Sequence, residues 1–209
     1  MPQKIIPILA DAKYHIFNRG VDKRDIFLDK SDYLRFYQSL NLFNSEEAVV
    51  NFDFARVHTS MATVSPNRLV EIEAYSLLSN HFHLLLKSVI DGGASEFMRR
   101  ISLGYTSYFN QKYERSGILF QGAFKRVYIE SQEQYQYVFA YVNENHHVHD
   151  IQMDREVCHS SSLHYQGIAR SKLITNFIAD PYQLTDNILL AKNIAMQRKN
   201  IKQDKVFFD

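Results

Sequence analysis

The chain has 209 residues, enough for one domain or for one domain with an appendage. Apolar residues make up 45% and aromatic residues 13%, so the chain can bury a core and lacks the composition of a disordered protein. The lone Cys158 excludes a disulfide framework and a multi-cysteine zinc site. No apolar run reaches the length of a membrane span and residues 1–8 are too weakly patterned for a signal peptide, so we expect a cytoplasmic protein that is not bound to a membrane.

Charge is distributed unevenly although the net charge is only +1. Residues 96–126 contain six Lys or Arg against two Glu, whereas residues 128–156 contain six acidic residues against one Arg. A basic segment beside an acidic, His-rich one suits a protein that holds a polyanion on one face and a metal nearby. Ordinary solvated surface is the alternative interpretation of the same charges.

Turn and cap residues divide the first part of the chain into elements. An apolar stretch over residues 13–20 predicts a first strand, which a glycine ends. Residues 30–32 can cap a helix over 33–43, where apolar residues recur at helical spacing. Residues 44–68 are mixed in character, and we interpret them as a variable insert that includes a strand near 51–57.

The middle of the chain predicts a hairpin and a long basic helix. Residues 69–78 and 81–89 are two apolar strands separated by a polar pair. A glycine-rich break then leads into an amphipathic helix over 96–114. Residues 118–129 are apolar with one basic pair, which indicates a loop followed by a strand.

The next helix begins with a recognisable cap. Ser131 can cap its first turn, and Gln134 stands at the position that completes a capping box. We expect this helix to run to residue 145 or 147. Beyond residue 150 the pattern weakens to a turn and short helix over 158–165 and a helix over 185–199.

These elements follow the order β-α-insert-β-β-α-β-α. The order predicts an α+β fold of ferredoxin-like kind, with an antiparallel sheet of four to five strands covered by helices and a C-terminal helical extension.

A His-apolar-His triplet begins the second strand of the hairpin. Because strand side chains alternate between faces, His81 and His83 point the same way and Phe82 points the other way. Two imidazoles side by side on a strand can bind one metal ion. The same triplet is also found as two ordinary histidines of a sheet.

A phenol and an amide lie one turn apart on the helix that follows Ser131. Tyr141 and Asn145 are four residues apart and share one helix face. An amide oxygen is a neutral, hard ligand that suits Mg²⁺ or Mn²⁺ better than zinc. The phenol is a candidate nucleophile, but with a free pKa of about 10 it needs a metal to polarise a phosphate beside it.

Four segments together resemble a known family. Residues 14–20 (YHIFNRG), 80–85 (NHFHLL), 119–125 (LFQGAFK) and 141–145 (YVNEN) resemble the single-tyrosine transposases of the HUH endonuclease superfamily, and most closely the REP-associated tyrosine transposase group. The similarity covers roughly residues 13–165. It divides the chain into a catalytic domain over residues 1–165, with the insert at about 44–68, and an extension over 166–209 of unknown function.

The resemblance implies a metal-dependent enzyme that nicks and transfers single-stranded DNA in transposition and recombination. By position, His81 and His83 would be the metal pair, Asn145 the third ligand and Tyr141 the nucleophile, with Mg²⁺ or Mn²⁺ as cofactor. Tyrosine attack would leave a 5′-phosphotyrosine link and release a 3′-hydroxyl, so no ATP is required. Members of the family recognise a DNA hairpin beside the cleavage site, which implies association with the nucleoid when DNA is bound.

The resemblance also directs attention to basic side chains. The residues that we expect to contact DNA phosphates are Arg19, Lys23, Arg24, Arg99, Arg100, Lys112, Arg115, Lys125 and Arg126.

Two positions depart from the family pattern. The family usually has proline after the ligand asparagine, and this chain has His146, so the helix can continue or His146 can itself approach the metal. The family usually has arginine where this chain has Ala123, which removes a cation and weakens the case for DNA affinity.

Within the site some roles have alternatives. Tyr137, one turn before Tyr141, is the second candidate nucleophile, and Glu144 is the second candidate for the third ligand. We interpret His146, His147 and His149 as a solvated helix end, and His15 as structural.

Two other functions also fit these residues. One is a catalytically inactive or domesticated protein that binds a nucleic-acid hairpin, and the other is a phosphodiesterase that uses water while Tyr141 only packs. Both a monomer and a homodimer are open, since some relatives exchange catalytic helices in a dimer and the REP-associated group looks monomeric.

Overall fold

The structure is a computed structural model that describes residues 7–47, 66–148, 159–168 and 171–174, together with residues 189 and 193. A four-stranded sheet has the order β2-β3-β1-β4, and each neighbouring pair is antiparallel. The strands are β1 (Lys13–Arg19), β2 (Val70–Leu78), β3 (His81–Ser88) and β4 (Lys125–Tyr128). The helices are α1 (Lys30–Leu42), α2 (Gly93–Lys112), α3 (Gln132–Asn143), α4 (Asn145–Val148) and α5 (Ser162–Tyr165), and a 3-10 turn covers Val21–Lys23.

The element order confirms the predicted fold class. A β-α-β-β-α-β series with an antiparallel sheet is the ferredoxin-like arrangement. In the described part of the chain, no helix is long and apolar enough to cross a membrane.

Alternation along β3 sends its side chains to two different helical layers. Phe82 is fully buried and its ring centroid lies 5.0 Å from that of Phe36 in α1, which in turn lies 5.0 Å from Tyr105 in α2. The neighbouring His83 points to the opposite face, where its ring lies 5.3 Å from that of Tyr141 in α3. Helices α1 and α2 therefore cover one face of the sheet, and α3 covers the other.

Helix α1 begins earlier than the predicted residue 33. The carboxylate of Asp29 accepts from the backbone N–H of Asp32 at 3.1 Å, and the carboxylate of Asp32 accepts from the backbone N–H of Asp29 at 3.3 Å. This reciprocal capping box starts the helix at Lys30. The cap predicted within residues 30–32 is therefore one to three positions too late.

Helix α2 is also displaced toward its N-terminus relative to the predicted 96–114. Gly92 precedes it with a φ of 72°, a left-handed conformation that glycine adopts without strain. The helix ends at Lys112, and Glu114 follows with a φ of 47°.

Helix α3 has the predicted Ser131 cap but ends sooner than expected. The Ser131 hydroxyl accepts from the backbone N–H of Gln134 at 3.1 Å, whereas the Gln134 side chain accepts from the backbone N–H of Glu130 at 2.8 Å and not from that of the cap residue. The helix stops at Asn143, Glu144 departs from helical geometry with φ −100° and ψ 15°, and α4 then begins. The predicted single helix is therefore two pieces.

The base of the insert is closed by one asparagine. The Asn44 side chain accepts from the backbone N–H groups of Leu69 and Val70 at 3.0 and 2.9 Å and donates to the carbonyl of Val70 at 2.9 Å. The buried Asn44 side chain thus satisfies backbone groups at the start of β2 that a neighbouring strand would otherwise bind. The strand predicted near 51–57 lies outside the described residues.

Two later segments pack along the free edge of β2. Ser160 forms an antiparallel bridge with Ser76, and Ile174 forms a parallel bridge with Ile72. Ile174 is 8% exposed, so part of the predicted extension contributes to the core. The helix predicted over 185–199 lies outside the described residues except at 189 and 193.

Candidate active site

The two histidines of the triplet begin β3 and share the face that α3 covers. Their ring centroids are 5.1 Å apart with the rings nearly perpendicular, at 88°. His83 is 2% exposed, whereas His81 is half-buried. The pair therefore has one buried and one accessible member.

The hydrogen bonds of Asn80 define the tautomer of His81. The amide nitrogen of Asn80 donates to the carbonyl of Lys23 at 3.2 Å, so its oxygen faces His81. That oxygen lies 2.6 Å from Nδ1 of His81, and since it can only accept, Nδ1 carries the proton. The lone pair of His81 is then on Nε2, the nitrogen through which it can bind a metal.

His15, which was interpreted from the sequence as structural, lies within the site. Its Nε2 lies 3.0 Å from Nδ1 of His83, and the two rings stack with centroids 5.1 Å apart. His15 is completely buried, and burial lowers its pKa to about 3, so this imidazole is neutral at physiological pH. The register of β1 on β3 pairs Phe17 with His83, so His15 lies on the same face of the sheet as His83. Pairing residues 13–20 with residues 81–89 in this register would have indicated that placement from the sequence.

Tyr141 reaches the histidine cluster from α3 of the same chain. Its ring lies edge-on to His83 with centroids 5.3 Å apart, and edge-on to His15 at 6.0 Å. The side chain is 3% exposed. Tyr137, one turn earlier, is partly buried against the core. The structure thus places the phenol against His83, the buried member of the imidazole pair.

Asn145 is a buried amide whose hydrogen-bonding capacity is unused. Its side chain is 0% exposed, and within the described ranges neither its oxygen nor its nitrogen has a hydrogen-bond partner. A buried polar group normally has a partner, so an unsatisfied one is characteristic of a ligand position. Among the described residues there is no group of three or more His, Cys, Asp and Glu suited to a metal. Two histidines and one asparagine would not count as such a group, because only two of the three residues are of these four types.

Glu144, the second candidate for the third ligand, is already engaged. Its Oε1 accepts from the hydroxyl of Ser162 at 2.8 Å, and its Oε2 lies 3.9 Å from Nε2 of His146. The carboxylate is 2% exposed. This arrangement favours a structural role for Glu144 and places its carboxylate beside His146.

Residues 160–162, which we call the serine clamp, join the end of α3 to β2. The Ser161 hydroxyl donates to Oδ1 of Asn143 at 2.6 Å and accepts from the backbone N–H of Tyr75 at 2.9 Å. Ser160 donates to the carbonyl of Asn143 at 2.9 Å, and Ser162 binds Glu144 as described above. The clamp therefore holds the turn that lies between Tyr141 and Asn145. Sequence periodicity offered no indication of it.

Four of the basic residues expected to contact DNA lie at α2, on the face of the sheet away from the histidines. Arg99 and Arg100 each form an ion pair with Glu96 at 2.7 Å. Lys112 binds two aspartates at the start of α1 at 2.6 and 2.7 Å, and Arg115 donates to the side chain of an asparagine and to a carbonyl. These cations already neutralise or bind groups of the chain itself.

Two other basic residues share the face of the histidine pair. The register places Arg19 opposite His81 and Phe17 between His83 and Lys125. The ring centroids of Phe17 and His83 are 5.6 Å apart. Nζ of Lys125 lies 5.8 Å from the centroid of the Phe17 ring. A partly exposed aromatic ring and two cations thus border the site.

The last three basic candidates lie on β4 and on the turn after β1. Arg126 alternates to the opposite side of β4. Lys23 and Arg24 are exposed at the turn after β1, where the Lys23 carbonyl accepts from Asn80 and Arg24 donates to the carbonyl of Val21 at 3.2 Å.

Two comparisons with known proteins identify a family and a similar fold. A family model described as "Transposase IS200 like" matches residues 10–145. A solved structure described as "Structure of the REP associates tyrosine transposase bound to a REP hairpin" is similar with a TM-score of 0.52 and 14% identity, covering 86% of this chain and 94% of that chain. At such an identity the similarity shows a shared fold. No curated protein matches the chain.

Proposed function

We propose a function for this chain, which belongs to the family of IS200-like transposases. It is a metal-dependent endonuclease and strand transferase of single-stranded DNA. In this proposal Tyr141 forms a 5′-phosphotyrosine intermediate at a site beside a DNA hairpin. The observation that supports it most is the contact of the Tyr141 ring with the His83 ring, 5.3 Å apart within one chain.

The residues of the site fit a divalent cation, Mg²⁺ or Mn²⁺. His81 and His83 would hold it through Nε2, and Asn145 would hold it through its unpartnered amide oxygen. When bound, the cation would act as a Lewis acid on the scissile phosphate.

Tyr141 carries the covalent step. Its phenolic oxygen attacks the phosphorus, the bond from phosphorus to the 3′-oxygen breaks, and the 5′-phosphate remains on the tyrosine. The phenol loses one proton and the leaving 3′-oxygen gains one. A 3′-hydroxyl can later attack the phosphotyrosine and rejoin the strands, so the bond energy is conserved without ATP.

Access to the phenol is narrow. Since Tyr141 is 3% exposed, a phosphate must approach through the small opening that remains or after a shift of α3. The serine clamp, which joins the end of α3 to β2, limits how far such a shift can go.

The DNA strand would lie along the face that bears the histidines. Arg19 and Lys125 can bind phosphates on either side of the site, and the partly exposed ring of Phe17 can stack on a base. The α2 cations are engaged within the chain, so any phosphate contact from them would be weaker. The similar solved structure is described as bound to a REP hairpin, which supports hairpin DNA as the partner.

The arrangement favours a tyrosine that acts in its own subunit. Its ring lies against His83 of the same chain, so one chain can supply both groups, and we propose a cytoplasmic monomer whose catalytic domain covers residues 1–165. Mixing the Tyr141→Phe and His83→Ala variants tests this arrangement. We expect no adduct from the mixture, and adduct formation would show exchange of α3 between subunits.

The proposed chemistry is tested with labelled single-stranded hairpin DNA and Mn²⁺ on a denaturing gel. The wild-type chain should form a covalent protein–DNA adduct, and the Tyr141→Phe variant should bind the hairpin without forming one. Tyr137→Phe is the matched control, because it removes the same hydroxyl one turn earlier and should retain the adduct.

The other outcomes identify the alternatives. Cleaved DNA without an adduct would indicate a phosphodiesterase that uses water, and binding without cleavage would indicate an inactive hairpin-binding protein. An undiminished adduct in the Tyr141→Phe variant would remove the assignment of the nucleophile.

A further inference from the structure

His15 and His83 share a single hydrogen bond between ring nitrogens. Nε2 of His15 lies 3.0 Å from Nδ1 of His83, and both side chains are buried, with exposures of 0% and 2%. Two neutral imidazoles can make this bond in two ways, because either nitrogen can carry the proton. The position of that proton determines what the rest of the His83 ring can do.

Only one of the two arrangements allows His83 to bind a metal through Nε2. If His83 donates from Nδ1, its Nε2 has a lone pair, and His15 accepts at Nε2 and keeps its own proton on Nδ1. If His15 donates instead, Nε2 of His83 carries the proton and cannot act as a ligand. The position of the proton in this hydrogen bond therefore decides whether His83 can bind a metal through Nε2.

His81 also has a hydrogen-bond partner at Nδ1. The side-chain oxygen of Asn80 accepts from Nδ1 of His81 at 2.6 Å and so directs Nε2 of that ring to the site. If both imidazoles bind the cation through Nε2, both must carry the proton on Nδ1, and each has a neighbour at Nδ1.

We propose that His15 is a positioning residue: its Nε2 accepts a hydrogen bond from Nδ1–H of His83 and thereby leaves Nε2 of His83 available to the cation. This inference rests on the proposed metal-dependent function, and it assigns His15 no contact with metal or DNA. The two rings are nearly parallel, with centroids 5.1 Å apart and an interplanar angle of 20°, and this close contact also restricts rotation of His83.

The tautomer can be measured without metal or activity. Long-range ¹⁵N–¹H correlation spectra of the full metal-free chain, labelled at histidine, distinguish protonated from unprotonated ring nitrogens. We expect His83 to have a proton on Nδ1 and a lone pair on Nε2. A proton on Nε2 of His83 in the wild-type chain would overturn the proposal.

A pair of variants separates positioning from packing. His15→Leu fills the space but removes the acceptor, whereas His15→Gln retains an acceptor oxygen. Loss of such an outer hydrogen bond costs about 10–100-fold in metal affinity, so His15→Leu should bind Mn²⁺ that much more weakly and His15→Gln should bind close to the wild type. Electron paramagnetic resonance of Mn²⁺ alone with each variant supplies the affinities.

The outcomes distinguish this inference from the proposed function. Equal Mn²⁺ affinity in the wild type and His15→Leu would overturn the role of His15 and leave the metal site intact. Absence of Mn²⁺ binding by the wild type would remove the metal site, while the spectra would still decide the His15–His83 tautomer. If His15→Leu does not fold, the wild-type spectra and the Mn²⁺ affinity of His15→Gln remain decisive. Weak Mn²⁺ binding by His15→Gln, together with a proton on Nε2 of His83, would count against the proposal.

Discussion

Removal of one hydroxyl should reveal how much the serine clamp contributes to stability. In Ser161→Ala, the backbone N–H of Tyr75 loses its acceptor and Oδ1 of Asn143 loses its donor, in a place where Ser161 is 0% exposed. Each buried polar group without a partner costs about 1–3 kcal/mol, and partial relaxation of the clamp places the total loss at about 2–4 kcal/mol. For a chain of this length such a loss lowers the melting temperature by about 5–15 °C.

The assay is urea unfolding followed by circular dichroism, with a thermal scan of the same samples. Ser107→Ala is the matched control, because Ser107 is exposed on α2 and its change should remain within about 0.5 kcal/mol. The clamp variant should also form the covalent adduct more slowly, since the turn after Tyr141 loses its anchor. A loss of stability below about 1 kcal/mol would refute the reasoning, because two buried groups cannot both lack partners at so small a cost.

Three further predictions concern packing, pH and metal. Gly104→Ala places a new Cβ 2.7 Å from the ring of Phe43 and should cost about 1–3 kcal/mol in a urea titration; an unchanged midpoint would show that the ring moves aside freely. The hydrogen bond from Lys112 lowers the pKa of Asp29 to about 2, so its contribution to stability is present above a pH of about 4 and is lost as the pH falls toward about 2. Because asparagine also caps helices, Asp29→Asn should be less stable than the wild type at neutral pH and equal to it at the acid limit; a gap that persists at low pH would contradict the ionic origin. Chelation with EDTA should abolish the adduct and added Mn²⁺ should restore it, whereas an adduct that survives chelation would exclude the metal from the reaction.

The parts of the structure that follow from local patterns were predictable. His81 and His83 share one face because side chains of any strand alternate, whatever the strand pairs with. The Ser131 cap and the α+β order follow from the same kind of short-range rule. The start of α1 was predicted too late because several polar residues compete to cap it, and the reciprocal bonds of Asp29 and Asp32 decide the outcome.

The contacts that join distant segments were not predictable from local patterns. His15 meets His83 only because β1 pairs with β3 in the register that puts Phe17 opposite His83, and a slip by one residue would turn His15 to the other face. The clamp that holds Asn143 comes from a segment with no periodic pattern, so only the folded chain shows which hydroxyl reaches which carbonyl.

For this protein, the order of the residues alone determined the element sequence, the paired imidazoles on one strand and the spacing of Tyr141 from Asn145. The tertiary structure decided that the phenol lies against His83, that His15 is hydrogen-bonded to His83, and which cations are already bound within the chain. The physical reason is that periodicity acts over a few neighbouring residues, whereas register and packing depend on the mutual fit of whole strands and helices.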